Sequence, residues 1–330
     1  ALYLTFIIRN SNFDICKEVH KMQTNSKDNG KIAALLGSFL ADSFSLGPHW
    51  IYDTDAIDKH FGRPEELTDP PPFSMHKNRK KGQFTHYGDQ TMVLLELIAD
   101  RGSFDLEEFG RRWFNFFNNY DGYLDHAMKD TGKAMQEGKG AGDSGSQSTD
   151  LGGASRIAPL VFRYADQETE LVRLVREQTL MTHARNSVAD SAEFFARVAL
   201  RVLTGTSMER SIQEAVSAGS YKSPIEDFVQ KGIDSISRDS RSFIKEIGQM
   251  CAASRALPAT VHLVLKYSGN YREALIQNVL AGGDSSARGM LAGMLLGAES
   301  GLQALPPSWI EGMEASKRIQ DAAQTIMQKT

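Results

Sequence analysis

Three aspartates, Asp42, Asp89 and Asp284, stand where a carboxylate is either costly or useful in this 330-residue chain. Asp42 interrupts an apolar helical pattern, Asp89 follows Gly88 just ahead of the run that starts at Met92, and Asp284 follows Gly282 and Gly283 ahead of another. Carboxylate oxygens gathered in one cleft hold hard divalent cations, orient water and exchange protons with a substrate. The expectation is that the three converge, with His49 as a titrating neighbour and Trp50 as an aromatic platform. Gln90, Gly152, Gly153 and Arg156, together with Gly283, Ser285, Ser286 and Arg288, supply the polar and small residues that suit the binding side of such a cleft. Arg288 lies one helical turn beyond Asp284, an acid-to-base order that favours pairing, so it is expected to bond Asp284 and reach toward Asp89. The plainer reading makes Asp89 and Asp284 helix N-caps and both arginines surface residues. His86 and His183 are further acid or base candidates, although a lone histidine is more often structural. Cys251 reads first as a small buried hydrophobe and second as a reactive thiol.

The elements that must carry these residues are helices. Gly289, Gly293 and Gly297 recur every four residues on one helical face, and each weakens a solvated helix by about 1 kcal/mol relative to alanine. Their presence predicts a buried helix over 284–298 with another backbone pressed against it. Residues 31–46 place Ile32, Leu35, Leu36, Phe39 and Leu40 at helical spacing and stop at Gly47 and Pro48. Gly88 and Asp89 are expected to precede a helix as Gly283 and Asp284 do. Further helical patterns fall at 105–120, with Asp105 and Glu108 as a capping box, and at 167–181, 187–203, 208–218, 224–236, 258–267, 271–280 and 308–327. Residues 62–82 hold Pro64, Pro70, Pro71, Pro72 and a basic run over 77–81, the composition of a long surface loop, and 138–148 form a Gly/Ser-rich loop. Alternating strand patterns are nearly absent and no fixed repeat period is found. The fold class is therefore all-α, a compact single-domain orthogonal bundle of many helices over 26–330. Residues 1–25 are expected to be an N-terminal extension outside the fold.

Composition narrows the function. Lys and Arg number 37 against 41 acidic residues, so no basic footprint for nucleic acid is present. Two cysteines, Cys16 and Cys251, suit a reducing, cytoplasmic setting. No apolar run reaches the about 18 residues of a membrane span.

Three stretches in order carry a resemblance: Gly37 to Asp42 on the first helix, Gly88-Asp89-Gln90-Thr91, and Gly282-Gly283-Asp284-Ser285-Ser286-Ala287-Arg288. The chain resembles the ADP-ribosylglycohydrolase superfamily, which shows Gly-x-x-x-Gly-Asp, Thr-Asp-Asp-Thr and Gly-Gly-Asp-x-Asp-Thr on an all-helical domain. Gly47, Pro48, His49 and Trp50, with the two variant motifs, resemble its branch of lens J-crystallins and selenoprotein J. The resemblance implies hydrolysis of a glycosidic bond to ADP-ribose or a related nucleotide sugar, and as partner an ADP-ribose-like small molecule or ADP-ribosylated substrate. It also implies two magnesium ions held by the acidic motifs. Position by position, Asp89 and Asp284 match metal ligands. Gly88, Gln90, Ser286 and Ala287 stand where the family has Thr, Asp, Asp and Thr, and His49 stands where its first motif has Glu. These changes remove much of the charge that holds magnesium, so the alternative is a crystallin-like protein that keeps the fold without the chemistry.

Overall fold

The computed structural model describes residues 26–329, and the expected extension over 1–25 lies outside them. The order is α1 (Ser26–Ser45), α2 (Thr54–Phe61), α3 (His86–Arg101), α4 (Leu106–Asn119), α5 (His126–Gln136), α6 (Gly152–Ser155), α7 (Ala158–Tyr164), α8 (Glu168–Leu180) and α9 (Asn186–Leu203). It continues with α10 (Met208–Ala218), α11 (Ile225–Ile233), α12 (Ser240–Ile247), α13 (Ala253–Lys266), α14 (Tyr271–Leu280), α15 (Ser285–Ser300), α16 (Pro307–Gly312) and α17 (Ser316–Gln328). Among the described residues β pairing is confined to two isolated bridges, Ser146 with His183 and Asp150 with Ala252.

The glycine pattern on α15 does what its spacing implies. A Cβ at Gly37 would sit 2.5 Å from the carbonyl oxygen of Gly293, and one at Gly293 would overlap the carbonyl of Gly37, so α1 and α15 cross backbone to backbone. Tyr271 Oη, on α14, donates to the same Gly37 carbonyl at 2.7 Å. Leu35, Leu36, Phe39 and Leu40 of α1 and Met290, Leu291, Met294 and Leu295 of α15 are all buried. Helices α9, α13 and α14 close around α15, while α3 packs on α4, α7 and α17. This central pair sets the position of everything polar at its N-terminal end.

Several boundaries differ from the sequence pattern. Helix α3 begins at His86, not after Asp89, because Thr85 is the N-cap and its hydroxyl accepts from Tyr87 N at 3.2 Å. Gly88 and Asp89 therefore lie in the first turn. Asp105 caps α4 through Glu108 N at 2.8 Å, but the Glu108 carboxylate turns to Arg111 and Arg112, so only half of the capping box forms. The helix expected at 258–267 starts earlier, at Ala253, and carries Pro258 inside it. The pattern at 308–327 is two helices, broken where Glu314 N donates to the Gly82 carbonyl at 2.8 Å. Helices α2, α5, α6, α7 and α12 fall outside the expected patterns; α5 buries only Ala127, Met128, Thr131 and Gly132, too few apolar groups to show a period.

The α1–α15 crossing gives a graded prediction. Gly293→Ala drives a methyl into backbone that cannot yield and is expected to cost at least about 2–3 kcal/mol. Gly289→Ala meets only the ends of Asn278 and Ser45, at 3.0 and 3.1 Å, and is expected to cost less. Urea unfolding of both variants tests the order; equal costs would contradict the crossing.

Candidate active site

Asp42 is fully buried near the C-terminal end of α1, where α3 and α15 both begin. Its Oδ2 accepts from Thr85 N at 2.8 Å, and its Oδ1 accepts from Thr85 Oγ1 at 2.6 Å and from Ser286 Oγ. A carboxylate on an apolar helix needs partners, and here hydroxyls and an amide supply them. Burial nevertheless outweighs these bonds and raises its pKa. A Cβ at Gly88 would overlap Asp42 Oδ2, so the glycine lets the first turn of α3 lie on this carboxylate.

Asp284 is also fully buried and is the N-cap of α15, accepting from Ala287 N at 3.1 Å. Tyr87 Oη donates to its other oxygen at 3.3 Å. Burial pushes its pKa up to about 6, with Arg288 pulling in the opposite direction. His49 joins the two motifs: its Nδ1 accepts from Ser286 N at 3.3 Å and lies 3.8 Å from Asp284 Oδ1. Trp50 follows at φ 61°, a left-handed conformation that costs a bulky side chain energy. It is clamped there, with Trp50 N donating to the Gly283 carbonyl at 2.9 Å and Gly283 N donating to the Ile51 carbonyl at 2.8 Å. Gly283 itself has φ 68°, and a Cβ on it would strike the backbone of Gln249.

Arg288 departs from expectation. It is buried, yet it does not bond Asp284 or Asp89. Its guanidinium donates to the Gly282 carbonyl at 2.6 Å, Asn278 Oδ1 at 3.1 Å and the Gln249 carbonyl at 3.3 Å. The side chain thus closes the orphan carbonyls of the glycine turn, and its charge reaches Asp284 only through space. Burial lowers its pKa to about 10, while Asp284 raises it. Ser285 is buried, and its carbonyl takes Ser45 Oγ at 3.1 Å and Asn278 Nδ2 at 2.6 Å.

Asp89 makes no bond to the other two, although the Asp42 carboxylate acts on it through space. Its Oδ2 accepts from Tyr120 Oη at 2.7 Å and Arg79 Nη2 at 3.2 Å, in a cleft of about 770 Å³ on the outer side of α3. Burial pushes its pKa up to about 6. The cleft contains Arg79, Arg111, Arg112 and Arg318, but all four are already in ion pairs, and Asp42, Asp284 and His49 are not in its walls. Arg79 belongs to the basic run of the expected surface loop, yet its side chain is mostly buried.

Gln90 and Arg156 face inward together. Gln90 Oε1 accepts from Trp113 Nε1 at 2.8 Å and Arg156 Nη1 at 3.0 Å. Arg156 Nη2 donates to Thr182 Oγ1 at 2.5 Å, and the same hydroxyl bonds His183 Nδ1 at 2.8 Å. His183 Nε2 then faces Asp150 Oδ1 at 2.6 Å, a pairing that holds the Asp150 carboxyl below its usual range. Gly152 and Gly153 pack under the rings of Tyr87 and His183, where side chains would collide. Cys251 is partly buried, and burial with Asp284 and Asp150 nearby pushes its thiol up, which disfavours the thiolate.

Two further histidines complete the cluster, His86 from the sequence-based candidates and His76 from outside them. His76, from the proline-rich loop, and His86 stand beside His49, with ring centres 5.2 Å and 6.3 Å from it. Trp50 covers all three imidazoles at 4.5 to 5.5 Å, and Tyr123 meets Trp50 edge-on at 5.0 Å. His86 Nε2 bonds Asp125 Oδ2 at 3.0 Å. Burial depresses His49 well below the usual imidazole value and His76 to about 3. No local pattern in the loop announces His76.

The ADP-ribosylglycohydrolase family model matches residues 24–330. The chain belongs to the ADP-ribosylglycohydrolase family. It is 23% identical to Crystallin J1A of Tripedalia cystophora over 325 residues, covering 91% of this chain and 97% of the crystallin. It is 22% identical to the ADP-ribosylarginine hydrolase Tri1 of Pseudomonas putida over 268 residues, 75% of this chain and 67% of that enzyme. Among solved structures, the fold matches a chain described as an ADP-ribosylglycohydrolase-related protein complex with TM-score 0.70 at 20% identity, over 92% of this chain and 99% of that one.

The residues present do not fit the magnesium pair that the family resemblance implied. Magnesium demands near-octahedral oxygen ligation. Gln90 has its oxygen committed to Arg156 and Trp113, Asp89 turns to Arg79 and Tyr120, and Gly88 and Ala287 offer no side-chain oxygen. Asp42 and Asp284 remain, with three imidazoles in place of oxygens beside them.

The raised pKa of Asp284 carries a sign. In the folded chain the carboxyl ionises near 6, and in the unfolded chain near the model value of 3.8. The folded state binds the extra proton between these values, so stability from this group is lost as pH rises from about 4 to 6, by at most about 3 kcal/mol. Asp284→Asn keeps a good N-cap and removes the charge. It is expected to gain stability relative to wild type between pH 4 and pH 7 in urea unfolding; a difference that does not change with pH would contradict the buried carboxyl.

Proposed function

We propose that the chain hydrolyses a glycosidic bond to ADP-ribose or a related nucleotide sugar in the pocket beneath Trp50. The observation that carries this reading is Asp284, a buried carboxyl with its pKa pushed up to about 6, tied to the second carboxyl Asp42 through Ser286 and standing 3.8 Å from His49, on which the strained Trp50 stacks. A carboxylate that titrates near neutrality suits general-base work, and strain in a binding wall is found where function maintains it. Asp284 takes the proton of the attacking water, the water oxygen bonds the anomeric carbon, and the glycosidic pair leaves with the substituent, which takes a proton from solvent. Trp50 and Tyr123, which meet edge-on, offer aromatic faces to a base or sugar.

A crystallin-like role without catalysis is the second reading. It is favoured by near end-to-end similarity to Crystallin J1A and by the lost family positions Gly88, Gln90 and Ala287. Incubation of wild type and Asp284→Asn with ADP-ribosylated peptides separates the two. Hydrolysis is expected from wild type and a loss of at least about 100-fold in the variant, at an unchanged melting temperature near pH 7 or a higher one. Absence of both binding and cleavage by wild type would leave the crystallin reading.

A further inference from the structure

Three buried ring nitrogens, His49 Nε2, His76 Nε2 and His86 Nδ1, have no hydrogen-bond partner among the described residues. Leaving a buried polar atom unpaired costs about 1–3 kcal/mol, and three in one pocket make a concentration of such cost that packing does not explain. One ligand atom from each of these three histidines lies within 4.8 Å of the others. Their ring centres are 5.2, 5.6 and 6.3 Å apart, against about 5.2–5.5 Å for three imidazoles sharing a cation through bonds of about 2.0–2.1 Å.

We propose that His49, His76 and His86 form a three-imidazole site for one borderline divalent transition cation of the zinc, cobalt or nickel class. The inference rests on the functional reading above only in assigning the cation of the same pocket. Imidazole nitrogen suits these ions and not magnesium. Three protein ligands leave a fourth position open, the arrangement of cation sites that keep a water or substrate. The outer partners are in place. Asp125 Oδ2 holds His86 Nε2 at 3.0 Å, which aims Nδ1 inward, and Asp284 Oδ1 lies 3.8 Å from His49 Nδ1. Loading moves the His49 ring proton from Nε2 to Nδ1, trades the 3.3 Å contact with Ser286 N for Asp284, and draws the ligand atoms together to about 3.3–3.6 Å. Trp50, over all three rings, lids the site from the solvent side.

The test is calorimetric titration of zinc into the tag-free, chelator-stripped full chain, with cobalt absorbance as a second readout. One equivalent of zinc is expected, unaffected by excess magnesium, with a cobalt spectrum of low coordination number. His76→Gln, outside the Asp42 and Asp284 layer, is expected to weaken binding by more than about 100-fold. Asp125→Asn keeps the cap on Met128 N and is expected to weaken it by about 10–100-fold. Stoichiometric binding that survives His76→Gln would place the cation on exposed His60 or His126 and overturn the proposal. No binding by wild type would overturn it as well. Neither readout uses hydrolysis, so binding without cleavage sinks only the functional reading, and cleavage without binding sinks only this one.

Discussion

The structure depends on how one carboxylate is taken out of water. Asp42 sits where three helices meet, and it is satisfied without a cation, by the amide and hydroxyl of Thr85 and the hydroxyl of Ser286. Removing it would leave these donors without their acceptor at the start of α3 and of α15, so the junction is a mutual arrangement and not three independent caps. The close crossing of α1 and α15 at Gly37 and Gly293 delivers Ser286 to Asp42. Backbone contact and polar satisfaction are therefore the same constraint seen at two levels.

Two buried guanidiniums extend this layer, and they show why charge pairing is a poor guide here. Arg288 spends its hydrogens on carbonyls of the 282–283 turn and residue 249, and Arg156 spends its own on Gln90, Thr182 and Gln178. Both cations lie among acids, Asp284 for one and Asp125 with Asp150 for the other, but at separations where the field counts and no bond forms. A guanidinium has five donors in a fixed fork, and a turn rich in orphan carbonyls matches them better than a single carboxylate does.

Much of the fold was legible because helices write a period into sequence. The spacing of Ile32, Leu35, Leu36 and Phe39, and of the three glycines on α15, announced the central pair and its closeness. The all-helical class followed from the same patterns. Where period was weak, as in α5, or where a turn chose its cap from a residue upstream, as Thr85 does for α3, the reading slipped. The site was legible in part: Asp42, Asp284, His49 and Trp50 do meet. Asp89 went elsewhere because a first-turn position on α3 points away from the face that Gly88 presses on Asp42. His76 was invisible, since it reaches the pocket from a loop whose sequence carries only turn chemistry.

The departures from the family motifs form a consistent set. With no side chain at Gly88, the space where the family has Thr is filled by Asp42 Oδ2, and Ser286 in place of Asp supplies a hydrogen where a second carboxylate would have repelled the first. Gln90 in place of Asp accepts from Arg156 and Trp113 without adding charge. Gln90 and Ser286, which stand for carboxylates in the motifs that the family resemblance implies, both add polarity to the layer without negative charge. Burial disfavours the charged form of the imidazole at 49, and ring nitrogens of His49 and His86 have no hydrogen-bond partner among the described residues. The hydroxyls that satisfy Asp42 and the imidazole that meets Ser286 N therefore belong to one polar layer, organised around a carboxylate that needs no cation.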